Sequence, residues 1–445
     1  MIIIKTGIKQ RNLKLMTKKL IYITCKGYTL IYSLVFMLII SILVSSLIII
    51  SFFHRSNVDN VISYEELFTQ SRQFLKIRTI YGDNYFEGFK TSFYKDNQFQ
   101  IDYEFFESDW GVLKIKGIKA TNRIDSVTIN TFVIKQGEQD QKSSIYVANI
   151  DRELQITGNT SIKGDVFVPS RGIKVAYVEG KRFAGNDLFL GNKYTSTTEV
   201  PKLNEYEELI KFENIKNRMI TFASMNSQNV YDNIYNDTII NSFKNSTILI
   251  YSKNEIDLDN VIIKGNVAIV SENRIIANDA CILEDVILIA PEILFKRNFN
   301  GKIQAFASNT IQTEEMCSFK FPSALIVSSS MSKEGSKEIY IGEGSIIEGL
   351  VMLQNNSGFS SKQSIIVINN AKVMGQVYSS DLLELKGEVY GTVYTKKFSL
   401  KTSSAYYENL LIDAKIENTK ANEYLGLIPV IDNKQKKENI AKWLY

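Results

Sequence analysis

The stretch KVMGQVYSSDLLELKGEVYGTVYTKKFSLK, residues 372–401, decides the fold of this 445-residue chain. It contains one short unit twice, because QVYSS at 376 returns as TVYTK at 392. Repeats about 20 residues long predict a solenoid, since a coil this short cannot bury its own apolar side and must share it with the next coil. Related units occur upstream, as ILIYS at 248, VAIVS at 267, VILIA at 286, IQAFA at 303, ALIVS at 324 and LVMLQ at 350.

The repeats predict a mainly β protein, with a β-helix of about eight coils over residues 246–400. Most of the isoleucine, valine and leucine side chains would point inward and form ladders along the stack. Glycines fall between the predicted strands, where a corner needs a permissive backbone. The default expectation is a right-handed helix with parallel strands. The corner glycines stand at positions 265, 349, 375, 387 and 391.

Three flanking segments complete the predicted architecture. Residues 154–194 begin with LQITGNTSIKGDVFVPSRG and have the same rhythm, so we expect the first coil or coils there. Residues 195–245 interrupt the repeat and have a partly helical pattern. Residues 401–445 would be a C-terminal cap or tail. The cap would be a short amphipathic helix that packs Ile440, Trp443 and Leu444 against the end of the β-helix, and a free tail is the alternative.

The N-terminus predicts a membrane anchor. Residues 28–53 contain no charged side chain over 26 positions. At about 1.5 Å per residue, a helix of this length exceeds the roughly 30 Å hydrocarbon core of a bilayer. Residues 1–27 form a basic leader with seven Lys and Arg residues and no acid, which places the N-terminus in the cytoplasm. The rest of the chain would then lie outside the inner membrane as a single-pass protein.

Residues 57–150 predict a small periplasmic α+β domain. Ser63 and Glu66 have the spacing of a capping box, which predicts a helix that begins at Ser63. The stretches QFQIDYEFFE, GVLKIKGIKA and SVTINTFVIK then alternate like antiparallel strands.

The residues at the membrane boundary, Lys26-Gly27-Tyr28-Thr29-Leu30-Ile31, resemble the leader of type IV pilins and type II secretion pseudopilins. The resemblance covers about 30 residues and implies cleavage after Gly27 by a prepilin peptidase, with Tyr28 as the first mature residue. The family usually has glutamate at the fifth mature position, where this chain has Tyr32. That departure indicates a minor subunit or no filament at all, and an uncut signal anchor is the alternative. The glycine–valine rhythm of the C-terminal half is loosely similar to bactofilins.

The side-chain inventory excludes several enzyme classes. The chain has one histidine, His54 beside the apolar segment, so the folded part can build neither a Ser-His-Asp triad nor a histidine metal site. No cofactor motif is present, and we expect no cofactor. Cys281 and Cys317 are either a disulfide or, as the pattern favours, two buried free thiols. The leader carries the positive charge and leaves the remaining chain slightly acidic, which argues against nucleic acid as a partner.

Acidic residues give the one candidate site for a polysaccharide. Glu284, Asp285 and Glu292 lie close in sequence, and carboxylate pairs can perform acid–base chemistry on a sugar. A solvated outer face is the simpler interpretation, so no catalytic residue is assigned.

The sequence therefore predicts a membrane-anchored, extracytoplasmic structural or binding protein without enzymatic activity. It would be a minor pilin-like component of a secretion or surface-filament apparatus, with other envelope, pilus or secretion proteins as partners. Two alternatives stay open. One is a β-helix that binds or cleaves carbohydrate, and the other is an unprocessed envelope scaffold.

Overall fold

The computed structural model describes residues 28–82, 92–95, 99–122, 125–137, 142–203, 206–224, 230–231, 237–329, 337–355, 363–418, 424 and 436–444. The leader, including Gly27, lies outside the described residues. The chain divides into two compact units, Met1–Glu65 and Glu66–Tyr445. Within these residues, the expected mainly β content and the one long apolar helix are confirmed.

The helices are α1 (Tyr28–Tyr81), α2 (Tyr206–Leu209) and α3 (Phe212–Ser224). The strands, in chain order, are β1 (Ser92–Lys95), β2 (Phe99–Trp110), β3 (Leu113–Thr121), β4 (Ser126–Gly137), β5 (Ser143–Val147), β6 (Leu154–Thr157), β7 (Ser161–Lys163), β8 (Asp165–Val168), β9 (Ile173–Val175), β10 (Lys193–Thr195), β11 (Val230–Tyr231), β12 (Thr238–Asn241), β13 (Ile248–Ser252), β14 (Ile256–Leu258), β15 (Ile262–Gly265), β16 (Val267–Ser271), β17 (Arg274–Ala277), β18 (Ile282–Phe295), β19 (Asn300–Thr313), β20 (Ser318–Ser329), β21 (Lys337–Ile341), β22 (Ile346–Asn355), β23 (Gln363–Val367), β24 (Lys372–Leu385), β25 (Glu388–Lys401), β26 (Tyr406–Glu408), β27 (Leu410–Ile412), β28 (Lys415–Glu417) and β29 (Lys436–Leu444).

Helix α1 runs through the predicted capping box without a break. The prediction of a helix start at Ser63 is therefore wrong. A cap is useful only where backbone N–H groups lack carbonyl partners, and the preceding helical turns supply those partners here. The C-terminal part of α1 has a buried face with one residue every four positions, as expected for one side of a helix. That face consists of Leu67, Ser71, Leu75 and Thr79.

The antiparallel sheet has the strand order β1-β2-β3-β4-β29. Its two faces bury different partners, because neighbouring residues of a strand point to opposite sides. Ile118 and Ile129 pair on the face that packs against Leu67 and Leu75 of α1. Ile115 and Phe132 pair on the other face, which packs against parallel strands of the repeat region.

The last strand of this sheet corrects the predicted C-terminal helix. Residues 436–444 form β29, which pairs with β4 so that Leu444 lies opposite Asn130. A nine-residue amphipathic segment is too short to distinguish the helical period of apolar residues from the alternation of a strand. The open edge of β4 decides the outcome, since pairing satisfies the backbone and buries Leu444.

The repeat strands pair in parallel, and paired residues are 15 to 28 positions apart in the chain. Among the described residues these pairings form three ladders. The first runs through β13, β16 and the middle of β18, the second through β14, β17 and the end of β18, and the third through β12, β15 and the start of β18. Their inward side chains form one apolar core. Short repeats thus share a common interior, as the spacing predicts. In the first ladder the inward position is occupied successively by Ile250, Ile269, Leu288, Ala305, Leu325, Val351, Val377 and Val393.

The segment expected as the first coil lies at the end of the stack that carries β25, with β5 between β25 and β8. Val393 of β25 pairs with Ile145 of β5, which in turn pairs with Val166 of β8. The C-terminal strand β28 bridges the same region, because Ile416 pairs with both Val389 and Ile162. Both ends of a parallel stack offer an open edge, so the repeat pattern alone cannot choose between them.

The chain returns from this end along the outer side of the first ladder. Tyr378 donates a hydrogen bond from its hydroxyl to the carbonyl of Pro201, at 3.1 Å. Further along, Ile210, Ile215 and Met219 are fully buried against outward residues of that ladder. Helices α2 and α3 lie within this return segment and cover apolar surface that the ladder would otherwise expose.

Candidate functional site

The N-terminal part of α1 is an exposed apolar surface. Within the described residues, α1 is the one helix long and apolar enough to cross a membrane, and its most hydrophobic window is not buried at all. Tyr28 is the first residue of the helix, and Tyr32 lies exposed one turn further on. Side chains as apolar as these need a nonaqueous environment or another protein surface. Gly27, after which the resemblance implies cleavage, lies outside the described residues.

The acidic pair Glu284–Asp285 occupies an irregularity in β18. The register with β19 shifts between Glu284 and Val286, and Asp285 has a positive φ of 62°. The pair thus lies where the strand passes from the third ladder to the first. Trp110 of the antiparallel sheet donates its indole N–H to the Asp285 carbonyl at 3.1 Å, which ties the sheet to this irregularity.

Lysines surround the acidic pair. The ammonium of Lys442, on β29, lies 3.0 Å from Glu284 Oε1 and also bonds Asp285 Oδ2. Lys302 Nζ lies 3.4 Å from Glu284 Oε1, and Lys264 Nζ lies 3.6 Å from Glu284 Oε2. The arrangement is an ion-pair cluster that joins the antiparallel sheet to the parallel strands.

The environment separates the pKa values of the two carboxyl groups. The hydrogen bond from Lys442, with the charge of Lys302, lowers the pKa of Glu284 to about 2. Asp285 is 8% exposed, and its burial raises the pKa of that carboxyl despite the contact with Lys442. Burial lowers the pKa of Lys442, but its two carboxylate partners outweigh that effect and raise it.

These contacts disfavour a role in sugar chemistry. A general acid or base must be free to reach the reacting proton, whereas lysine ammonium groups hold both carboxylates. Glu292 is exposed on the second ladder, in register with Arg274 and Thr310, and the structure does not bring it into the cluster. Sequence reasoning missed Lys442 because its partners become visible only when β29 is recognised as a strand of the sheet.

The two cysteines of the repeat region are free and buried. Desolvation raises the pKa of the Cys281 thiol to about 12 and that of Cys317 to about 11. The alternative of free thiols is therefore correct, and neither thiol is activated for nucleophilic chemistry. Within the described ranges, no group of three or more His, Cys, Asp or Glu side chains could hold a metal ion.

Glu284→Gln should reduce the loss of thermal stability that the protein shows at acidic pH. Since its pKa is lower in the folded than in the unfolded protein, the Glu284 carboxylate stabilises the fold above about pH 4.5, and this contribution is lost as the pH falls toward 2. Thermal unfolding between pH 6 and pH 2.5 should show a smaller loss of Tm for E284Q than for the wild type. The control E292Q removes an exposed carboxylate from the same strand and leaves the lysine cluster intact. Parallel curves for all three proteins would contradict the role of the cluster.

Comparisons with known proteins give little further information. No family model matches the chain, and no curated protein matches it. Among solved structures, the competence-associated pilin ComZ from Thermus thermophilus matches with 8% sequence identity, over 80% of this chain and 86% of that one. The TM-score is 0.24, at which the two folds are not shown to be the same.

Proposed function

We propose that this protein is a membrane-anchored, extracytoplasmic structural or binding component of the bacterial envelope, acting as a minor pilin-like subunit of a secretion or surface-filament apparatus. The observation that carries the proposal is α1. Its first 26 residues have no charge and expose their apolar side chains, and its C-terminal part buries Leu67 and Leu75 against an antiparallel sheet. One helix thus combines a lipid-compatible segment with a segment suited to holding a folded domain.

The charge distribution supports the topology that we propose. The basic leader would remain in the cytoplasm, α1 would cross the inner membrane once, and residues after His54 would lie in the periplasm or outside the cell. Partners would be other pilus, secretion or envelope proteins. Tyr32, in place of the glutamate common in pilins, supports a minor rather than a bulk subunit.

We also propose that the stacked parallel strands are the coils of a β-helix with a structural, non-enzymatic role. Three ladders of parallel strands around one apolar core support the β-helix. The lysine contacts of Glu284 and Asp285 support the absence of enzymatic activity, because the acid pair is held in ion pairs.

Processing of the leader tests the proposal. Coexpression with a prepilin peptidase should remove 27 residues and give a mature protein that begins with Tyr28, as determined by N-terminal sequencing and intact mass. Gly27→Leu should abolish the cleavage, because a bulky side chain would stand at the bond to be cut. Gly7→Leu is the matched control, since it makes the same change elsewhere in the leader and should leave cleavage unchanged.

An intact Met1 terminus in the wild type, in cells whose own pilins are processed, would contradict the pilin-like assignment. The protein would then be an uncut anchored scaffold. Membrane fractionation of the same cells separates this result from a failure of anchoring, because an uncut anchor stays in the membrane fraction.

A further inference from the structure

Phe106 forms an aromatic platform on the antiparallel sheet. It lies opposite Gly117 across β2 and β3, and a Cβ built on Gly117 would come within 2.1 Å of the ring atom Cζ. The glycine therefore lets the ring lie down against the neighbouring strand. Phe106 remains 40% exposed.

A cleft of about 310 Å³ opens beside this platform. The antiparallel sheet forms one wall, and the segment that precedes β13 forms the other. Its volume is at the lower end of the range for small-molecule sites, which suits one or two sugar-sized rings. The principal lining residues are Phe106, Ser108, Trp110, Phe243, Asn245 and Thr247.

Hydrogen bonds hold the second wall in place. Asn130, from the sheet, donates its amide to the carbonyl of Phe243 at 3.1 Å. Thr247 donates its hydroxyl to Asn266 Oδ1 at 2.9 Å, and Asn266 donates to the carbonyl of Asn245 at 2.8 Å. Phe243 packs edge-on against Trp110, with ring centroids 5.3 Å apart. The cleft is therefore preorganised rather than formed by a loose loop.

The lining combines one exposed aromatic face with neutral hydroxyl and amide groups. Among the described lining residues, Asp109 is the one that carries a charge, and the guanidinium of Arg218 lies 3.5 Å from its carboxylate. A pyranose ring presents an apolar C–H face that suits an aromatic surface, and a rim of hydroxyls that both donate and accept hydrogen bonds. The carboxylate of Asp109 would repel an anionic ligand.

We propose that this cleft binds a neutral oligosaccharide, with one sugar ring on Phe106 and its hydroxyls bonded to Ser108, Asp109 and Asn245. The site is separate from the acidic cluster at Glu284, and binding there requires no hydrolysis. The proposal does not depend on leader processing or on a filament. It would give an anchored envelope protein a contact with surface glycan.

Titration of the full-length protein in detergent with triacetylchitotriose and with maltotriose tests the proposal. Saturation-transfer difference NMR should detect at least one of them, and the intensity should fall at least about tenfold in Phe106→Ala, because the stacking surface is lost. Tyr406→Ala is the matched control, since it removes an aromatic ring with 49% exposure outside the cleft and should bind like the wild type.

Asn245→Ala is a second variant of the cleft, and it leaves the antiparallel sheet unchanged. It should weaken binding several-fold. Because the Asn245 amide also donates to Asn241 Oδ1 at 3.2 Å, thermal unfolding of both variants is measured beside the titration, so that a folding defect in either one cannot decide the result. Absence of binding to both oligosaccharides by the wild type would overturn the proposal. So would binding that survives unchanged in both F106A and N245A.

Discussion

Gly391→Ala is expected to destabilise the stack of parallel strands by more than about 3 kcal/mol. Gly391 has a φ of 149°, in a region that side chains rarely tolerate. A Cβ at this position would come within 1.8 Å of the carbonyl oxygen of Gly375 and 2.7 Å of its carbonyl carbon. The obstacle is the backbone of the adjacent strand, which cannot move without breaking the ladder.

The position belongs to a row of glycines. Gly349, Gly375 and Gly391 are register partners in β22, β24 and β25, and all three have φ near 140° to 150°. A Cβ at Gly375 would likewise come within 2.0 Å of the carbonyl oxygen of Gly349. The corner is therefore narrow at Gly375 as well as at Gly391, and substitution of either glycine should have a similar effect.

Chemical unfolding of the full-length protein, followed by circular dichroism, measures the effect. Gly180→Ala is the matched control, because Gly180 also has a positive φ, 73°, but a Cβ there would meet nothing within 4 Å. It should lose only the backbone contribution of about 1 kcal/mol. Equal unfolding midpoints for the two variants would mean that strands at this corner are not as closely stacked as the structure has them.

Lys442→Met is expected to cost about 3–5 kcal/mol in the free energy of unfolding. The substitution keeps an unbranched, flexible side chain but removes the ammonium group from two carboxylates. Asp285, which is 8% exposed, would be left as a buried charge without its cation. An uncompensated buried charge is costly because water can no longer solvate it.

Asp285→Asn in the K442M background should recover most of this loss, since it removes the stranded charge and asparagine tolerates the positive φ at that position. The fluorescence of the two tryptophans reports on the contact between the antiparallel sheet and the parallel strands. Trp110 bonds the carbonyl of Asp285, and Trp443 follows Lys442 on β29. If intrinsic fluorescence gives the same unfolding midpoint for K442M and the wild type, the ion pairs do not hold the sheet to the parallel strands.

The repeat strands and the apolar helix could be predicted because their signals are local. The isoleucines and valines at 250, 269, 351, 377 and 393 belong to one inward row, as the spacing of the repeats indicates. The absence of charge over residues 28–53 likewise needs no tertiary information. The acidic pair was also visible in sequence, but its partner Lys442 lies 157 residues away from Asp285.

The sequence by itself determined a long apolar helix and a set of short strands that must share an interior, because period and hydrophobicity are properties of neighbouring residues. Only the tertiary structure decided which edges meet. It placed residues 143–147 beside β25 and residues 436–444 beside β4. Backbone hydrogen bonds at a strand edge carry almost no sequence information, so the packing of the whole chain selects among the edges that are open.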